Sequence, residues 1–183
     1  MRDGTTPNDD AAPNVDAPTE WGTPRSRLIT WYDPVPMTLA GATMSGLDFL
    51  RAIRDGRFAP PPMASVFGFR ITDIDVGKVA FECTPDESAY NTLGMVHGGL
   101  VCTLADTVVG CAVHSTLDPG LTCTSIDLHV SYLRPVTTDS GVLRAIGEVT
   151  KPGRRVGFAA AEIRDGSNKL VATATSSLLI MQT

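Results

Sequence analysis

No stretch of this 183-residue sequence reaches the roughly 18 uninterrupted apolar residues of a membrane span, and its N-terminus, MRDGTTPNDDAAPNVDAPTE, lacks the apolar core of a signal peptide. A cytoplasmic location is the expectation. Excess positive charge is missing too: 15 Lys and Arg stand against 20 Asp and Glu, a formal charge of −5. No sequence-wide field recruits nucleic acid or an anionic membrane, so neither is expected as a partner, and no helix-turn-helix segment or basic block suggests a DNA-binding regulator. Cysteine is sparse. Cys83, Cys102, Cys111 and Cys123 contain no C-x-x-C pair, and Cys102 and Cys111 on one helix would lie about 13 Å apart, beyond disulfide reach. They read as small buried hydrophobes of a reducing compartment. The three histidines, His97, His114 and His129, match no usual zinc spacing, so no metal and no cofactor are expected. G-x-S-x-G, P-loop, G-x-G-x-x-G and H-E-x-x-H motifs are all absent, which removes support from several common enzyme classes.

What is present is organised into three parts. Residues 1–27, rich in Pro, Asp, Asn and Thr, read as a disordered tail. Residues 28–44 carry Trp31 and Tyr32 in LITWYDPVP, an extension that either latches onto the body or hangs as a linker. Residues 45–183 read as one domain without repeats. A capping-box spacing at Ser45 and Asp48 opens a short amphipathic helix, which Gly56 and Pro60-Pro61-Pro62 stop. Two strand-like runs follow, Ser65–Ile71 and Lys78–Thr84. Residues 98–115 are too long for a strand, apolar on nearly every face and free of proline, so a helix buried on most sides is expected there. After the turn at Asp118-Pro119-Gly120 come strands over Leu121–Leu133, Val142–Val149, Val156–Ile163 and Lys169–Met181. One buried helix with five or six strands joined by short turns predicts an α+β fold, a single antiparallel sheet curled around that helix.

The chemistry concentrates where a polar, glycine-rich approach, Asn91-Thr-Leu-Gly94-Met-Val-His97-Gly98-Gly99, runs into the start of that helix. The first N–H groups of a helix have no partner within it and the dipole favours negative charge there, so the Gly98 amide could polarise a carbonyl. The alternative is that Gly98 and Gly99 only let the chain turn tightly into the helix. Asp106 is the sole charged side chain between Leu100 and Val113, and a carboxylate in such a run is costly unless it is used or hydrogen-bonded. Its alternative role is a structural acid bonded to a backbone N–H or a threonine. Eight helical residues, about 12 Å of rise, separate Gly98 from Asp106, so both can flank one small carbonyl only if a second chain supplies the acid. A two-fold homodimer with antiparallel helices would create two such composite sites.

The elements N-x-x-G-x-x-H-G-G, L-A-D within the helix and S-I-D-L-x-V-x-Y-L-R-P resemble the PaaI-like hotdog-fold acyl-CoA thioesterases over roughly Ser45–Met181. The resemblance implies a hotdog fold and hydrolysis of an aryl-, arylacetyl- or medium-chain acyl-CoA. It also implies that Gly98 N–H holds the thioester oxygen, that Asn91 and His97 shape that pocket, and that the partner subunit's Asp106 acts as base or nucleophile. A hydroxyl on the strand after the helix is expected near the water; Thr124 and Ser125 are adjacent, and the motif register favours Ser125. Gly99 and Thr124 are expected to touch substrate, and Arg134, Arg154 and Arg155 to meet the phosphates of coenzyme A. More than a dimer, a tetramer, is also what the family implies. Two other functions fit the fold: a non-catalytic acyl-CoA-binding or regulatory protein, and a hydratase or dehydratase, although the H-F-P-x-x-P-x-x-P-G and D-x-x-x-x-H signatures of the latter are missing.

Overall fold

The helical N-terminal segment follows from its caps. In the computed structural model, which describes residues 18–183, α1 spans Val35–Gly41 and α2 spans Gly46–Arg54. The Ser45 hydroxyl caps α2, accepting from the Asp48 N–H at 3.2 Å and donating to the Asp48 carboxylate at 2.8 Å. The proline triplet then does more than end this helix. Pro62 sits at the first position of a further helix, α3, Pro62–Phe67, where its fixed φ suits the helix and its missing N–H costs nothing. The strand expected from Ser65 is therefore a correction: residues 65–67 are helical. Gly68, in the left-handed conformation at φ 69°, ends α3, and the strand begins only at Arg70. Trp31 and Tyr32 of the extension are exposed, and residues 1–17 of the expected tail lie outside the described residues.

Six strands follow: β1 Arg70–Asp75, β2 Lys78–Cys83, β3 Leu121–Tyr132, β4 Leu143–Lys151, β5 Val156–Arg164 and β6 Leu170–Gln182. All pairings are antiparallel, in the order β1-β2-β4-β5-β6-β3, so the sheet is open, with β1 and β3 at its edges. The long helix expected between β2 and β3 is α4, Gly98–His114. It packs against one face of the sheet through Leu100, Val101, Leu104, Ala105, Val108, Val109, Ala112 and Val113, all buried. From the sheet, Val79, Phe81, Leu143, Ala145, Ile163 and Leu178 complete the core. Close approach is permitted by Gly147 of β4, where a Cβ would stand 2.4 Å from the Val108 carbonyl oxygen. Among the described residues no helix is long and apolar enough to cross a membrane.

Candidate active site

The approach to α4 is built by its polar residues. The Asn91 Oδ1 accepts from the Leu93 N–H at 2.8 Å, and the Asn91 N–H donates to the Met95 carbonyl at 2.7 Å, closing a tight loop. The loop is tied down at its end by the His97 N–H, which donates to the Ala89 carbonyl at 2.7 Å. The His97 ring caps α4: its Nδ1 accepts from the Gly99 N–H at 2.8 Å, which leaves Nε2 as the proton-bearing nitrogen. Among the described residues the Gly98 N–H meets no acceptor, so one donor at the positive end of a 17-residue helix is free.

Tyr132, at the end of β3, packs against Gly98 and is a residue that the sequence does not single out. Its hydroxyl donates to the Gly98 carbonyl at 3.0 Å, and a Cβ on Gly98 would lie 3.1 Å from the ring. Burial, helped by Cys102, pushes the Tyr132 pKa up and keeps the hydroxyl a donor. Gly98, Tyr132, Arg134, Met95 and Val101 line one cleft of about 470 Å³. Arg134, exposed at its mouth, donates to the Leu170 carbonyl.

Asp106 sits two turns further along α4, half-buried rather than sealed in the core. Its Oδ1 accepts from the Ser125 hydroxyl at 2.6 Å, so the residue holding this acid is a serine of β3 and neither a backbone N–H nor a threonine. Cys123 Sγ, 3.6 Å from the Gly110 carbonyl, points toward α4 as Ser125 does, which by strand alternation turns the exposed Thr124 to the other side. Just past Ser125 the register with β6 shifts by one residue, a bulge that leaves Ile126 58% exposed.

Within one chain these parts remain apart. Gly98, Gly99, His97, Asn91, Tyr132 and Arg134 gather at the N-terminal end of α4, and Asp106 with Ser125 lies about 12 Å along it. Arg154 lines a groove with Asp118 and Leu121 beyond the opposite end of the helix, and exposed Arg155 follows it. No cluster of three or more His, Cys, Asp or Glu placed to hold a metal occurs among the described residues. The arrangement thus offers a free amide at a helix start, and a hydrogen-bonded carboxylate about 12 Å further along the same helix.

Comparison with known proteins agrees with this picture. The sequence profile of the Thioesterase superfamily matches residues 93–172, from the loop before α4 into β6. Human acyl-coenzyme A thioesterase 13 is 29% identical over 97 residues, covering 52% of this chain and 68% of that protein. A phenylacetic acid degradation-related protein of Ralstonia eutropha JMP134 superposes with a TM-score of 0.66 at 29% identity, over 71% of this chain and 98% of its own. The PaaI protein of the E. coli phenylacetic acid degradation operon, at 24% identity and a TM-score of 0.65 over 75% of this chain and 96% of its own, shares the fold.

Proposed function

This chain is a thioester hydrolase carrying a hotdog-fold domain of the thioesterase superfamily, and from that premise we propose that it cleaves acyl-CoA in two equivalent sites, each shared between two subunits. The observation that carries the shared site is the separation, about 12 Å along one helix, between the unoccupied Gly98 N–H and the Ser125-bound carboxylate of Asp106. Two further features support a homodimer. The 12-residue β3 leaves one edge unpaired, and the less buried side of α4 that borders β3 carries small or polar residues, Gly99, Thr103, Asp106 and Gly110, over which a second helix can pack closely.

In the reaction the thioester oxygen accepts from Gly98 N–H of one subunit, which stabilises the oxyanion as it forms. Asp106 of the other subunit removes a proton from water, the water oxygen adds to the carbonyl carbon, and the collapsing intermediate breaks the C–S bond and releases the CoA thiolate, which takes up a proton. Direct attack by the carboxylate, giving a mixed anhydride that water then cleaves, uses the same atoms. Ser125 holds one carboxylate oxygen and leaves the other free for either step. His97 and Asn91 fix the loop that presents Gly98. Gly99 borders the bound thioester, while Thr124, turned to the far face of β3, does not reach it. Arg134 beside the cleft, with Arg154 and Arg155 brought by the antiparallel partner to the same end, meets the phosphates of CoA. The acyl group is aryl, arylacetyl or medium-chain. Residues 45–183 act as the single catalytic domain, and two dimers assemble into a tetramer in the cytoplasm.

Thiol release from a panel running from acetyl- through palmitoyl- to phenylacetyl- and benzoyl-CoA tests this reading. Turnover should fall by about two to four orders of magnitude in Asp106→Ala while the protein stays folded and dimeric. Hydrolysis of no member by folded wild type, or full activity in the variant, would remove the proposal. Mixing Asp106→Ala with Gly98→Pro subunits should restore one working site per heterodimer; no recovery would refute the sharing.

A further inference from the structure

The described residues contain a second cavity that the proposed chemistry leaves unused. It holds about 360 Å³ and lies between the N-terminal helices, β1, β2 and the part of α4 that carries Thr107 and Cys111. Ile53 and Leu50 of α2, Phe58, Ala64 of α3, Phe69 and Phe81 give it an apolar wall. It reaches α4 at Thr107 and Cys111, and Thr107 is the residue after Asp106. Neither offers a free polar group. The Thr107 hydroxyl donates to the Thr103 carbonyl at 2.8 Å, and burial pushes the Cys111 thiol up to about 12, so that it stays neutral. The two arginines at the rim are each paired, Arg54 with Asp55 at 2.8 Å and Arg70 with Glu82. An uncharged, apolar occupant is what such walls accept.

We infer that this cavity receives the acyl group of the substrate, and that the α2–α3 segment sets which acyl groups fit. The inference rests on the thioesterase reading, since it places the acyl chain beside Asp106 of the same subunit. The wall residues, Leu50 to Phe81, all precede residues 93–172 that match the superfamily, so the selectivity belongs to a part of the chain outside the shared catalytic pattern. Size sets the class. An apolar cavity of about 150 Å³ holds benzene, about 25 Å³ per carbon, and a water in the liquid takes about 30 Å³, so this cavity holds about twelve to fourteen non-hydrogen atoms. Decanoyl and dodecanoyl chains fill it, phenylacetyl fits with room to spare, and the end of a palmitoyl chain stays outside.

Two variants and two readouts test the assignment. In wild type, kcat/KM should rise about fourfold per methylene from butyryl-CoA up to about twelve carbons and then level off. Ala64→Phe should lower the decanoyl-to-butyryl ratio by at least about 60-fold, the worth of three methylenes. Ile53→Ala, which widens the same wall, should raise palmitoyl relative to decanoyl. Identical chain-length profiles in the three folded proteins would overturn the assignment. Calorimetric binding of the uncleavable thioethers S-butyl-CoA and S-decyl-CoA separates this from the catalytic reading. Tighter binding of S-decyl-CoA, lost in Ala64→Phe, supports the pocket even if no thioester is cleaved, in which case only the hydrolase reading falls. Equal affinity for both thioethers in wild type removes the pocket.

Discussion

Helix α4 has two sides with opposite composition. Into the core it presents Leu100, Leu104, Val108, Val109 and Val113, buried and with apolar side chains; the other side, which borders β3 at Asp106 and Gly110 and the α2–α3 segment at Thr107 and His114, carries Gly99, Thr103, Asp106, Thr107, Gly110 and His114, all half-buried. The threonines on the second side spend their hydroxyls on the helix, Thr103 on the Gly99 carbonyl and Thr107 on that of Thr103, each at 2.8 Å, so that Asp106 is the one acid there. One side is therefore chosen by packing, while the other is shaped by what must come close to it. Substitutions on the first side should cost folding, and those on the second should cost function.

The sharpest division is expected from Leu104→Ala, which leaves a void in a fully buried site: urea unfolding should show a loss of about 2–5 kcal/mol. A loss below about 1 kcal/mol would mean that the sheet side tolerates voids and that the division is weaker than drawn. Ser125→Ala works on the other side, removing the donor that holds Asp106. Turnover should drop about 10- to 100-fold, the worth of a hydrogen bond to a charged group, with little change in the urea midpoint. A stability loss as large as that of Leu104→Ala would make the Asp106–Ser125 pair structural. The smallest effect belongs to His114, where the two sides meet. Its ring stands edge-on to Phe49 at 5.9 Å, and burial holds its pKa below the ordinary imidazole value. The folded state then binds fewer protons than the unfolded one. Stability is complete above the unfolded value, about 6.5, and declines as pH falls from there through the lower folded value. Urea midpoints at pH 7.5 and 5.5 should differ in wild type and differ less in His114→Gln; an equal difference would assign the slope to other groups.

The elements most legible in the sequence are those whose pattern is set by one face of packing. The bounds of α4 and of β3 to β6 follow from apolar periodicity and from the turn at Asp118-Pro119-Gly120, and differ by a residue or two from those expected. Helix α3 was hidden because SVFGFRI has a strand's composition, while Pro62 and Gly68, which decide the matter, act through backbone geometry. At the site, the glycine-rich approach and the lone charge in an apolar run brought out Gly98 and Asp106, the family resemblance gave Asn91 and His97 their expected roles, and Ser125, preferred over Thr124 from the motif register, is the residue that bonds Asp106. Tyr132 escaped notice because its ring meets Gly98 only in the folded chain, 34 positions away in the sequence. The one usable signal was its place in S-Y-L-R-P. The α2–α3 cavity has no sequence signal, since its walls come from five separate segments.

The glycine at position 147 has a consequence for how damage to this protein would be traced. A side chain there would push on the Val108 carbonyl and tilt α4 as a lever that carries Gly98 on one arm and Asp106 near its fulcrum. In a symmetric pair each such helix serves both reaction centres, so one tilt would detune both together. A genetic screen scored on activity alone would then recover Gly147 variants beside those of Asp106, although nothing at position 147 ever meets the substrate.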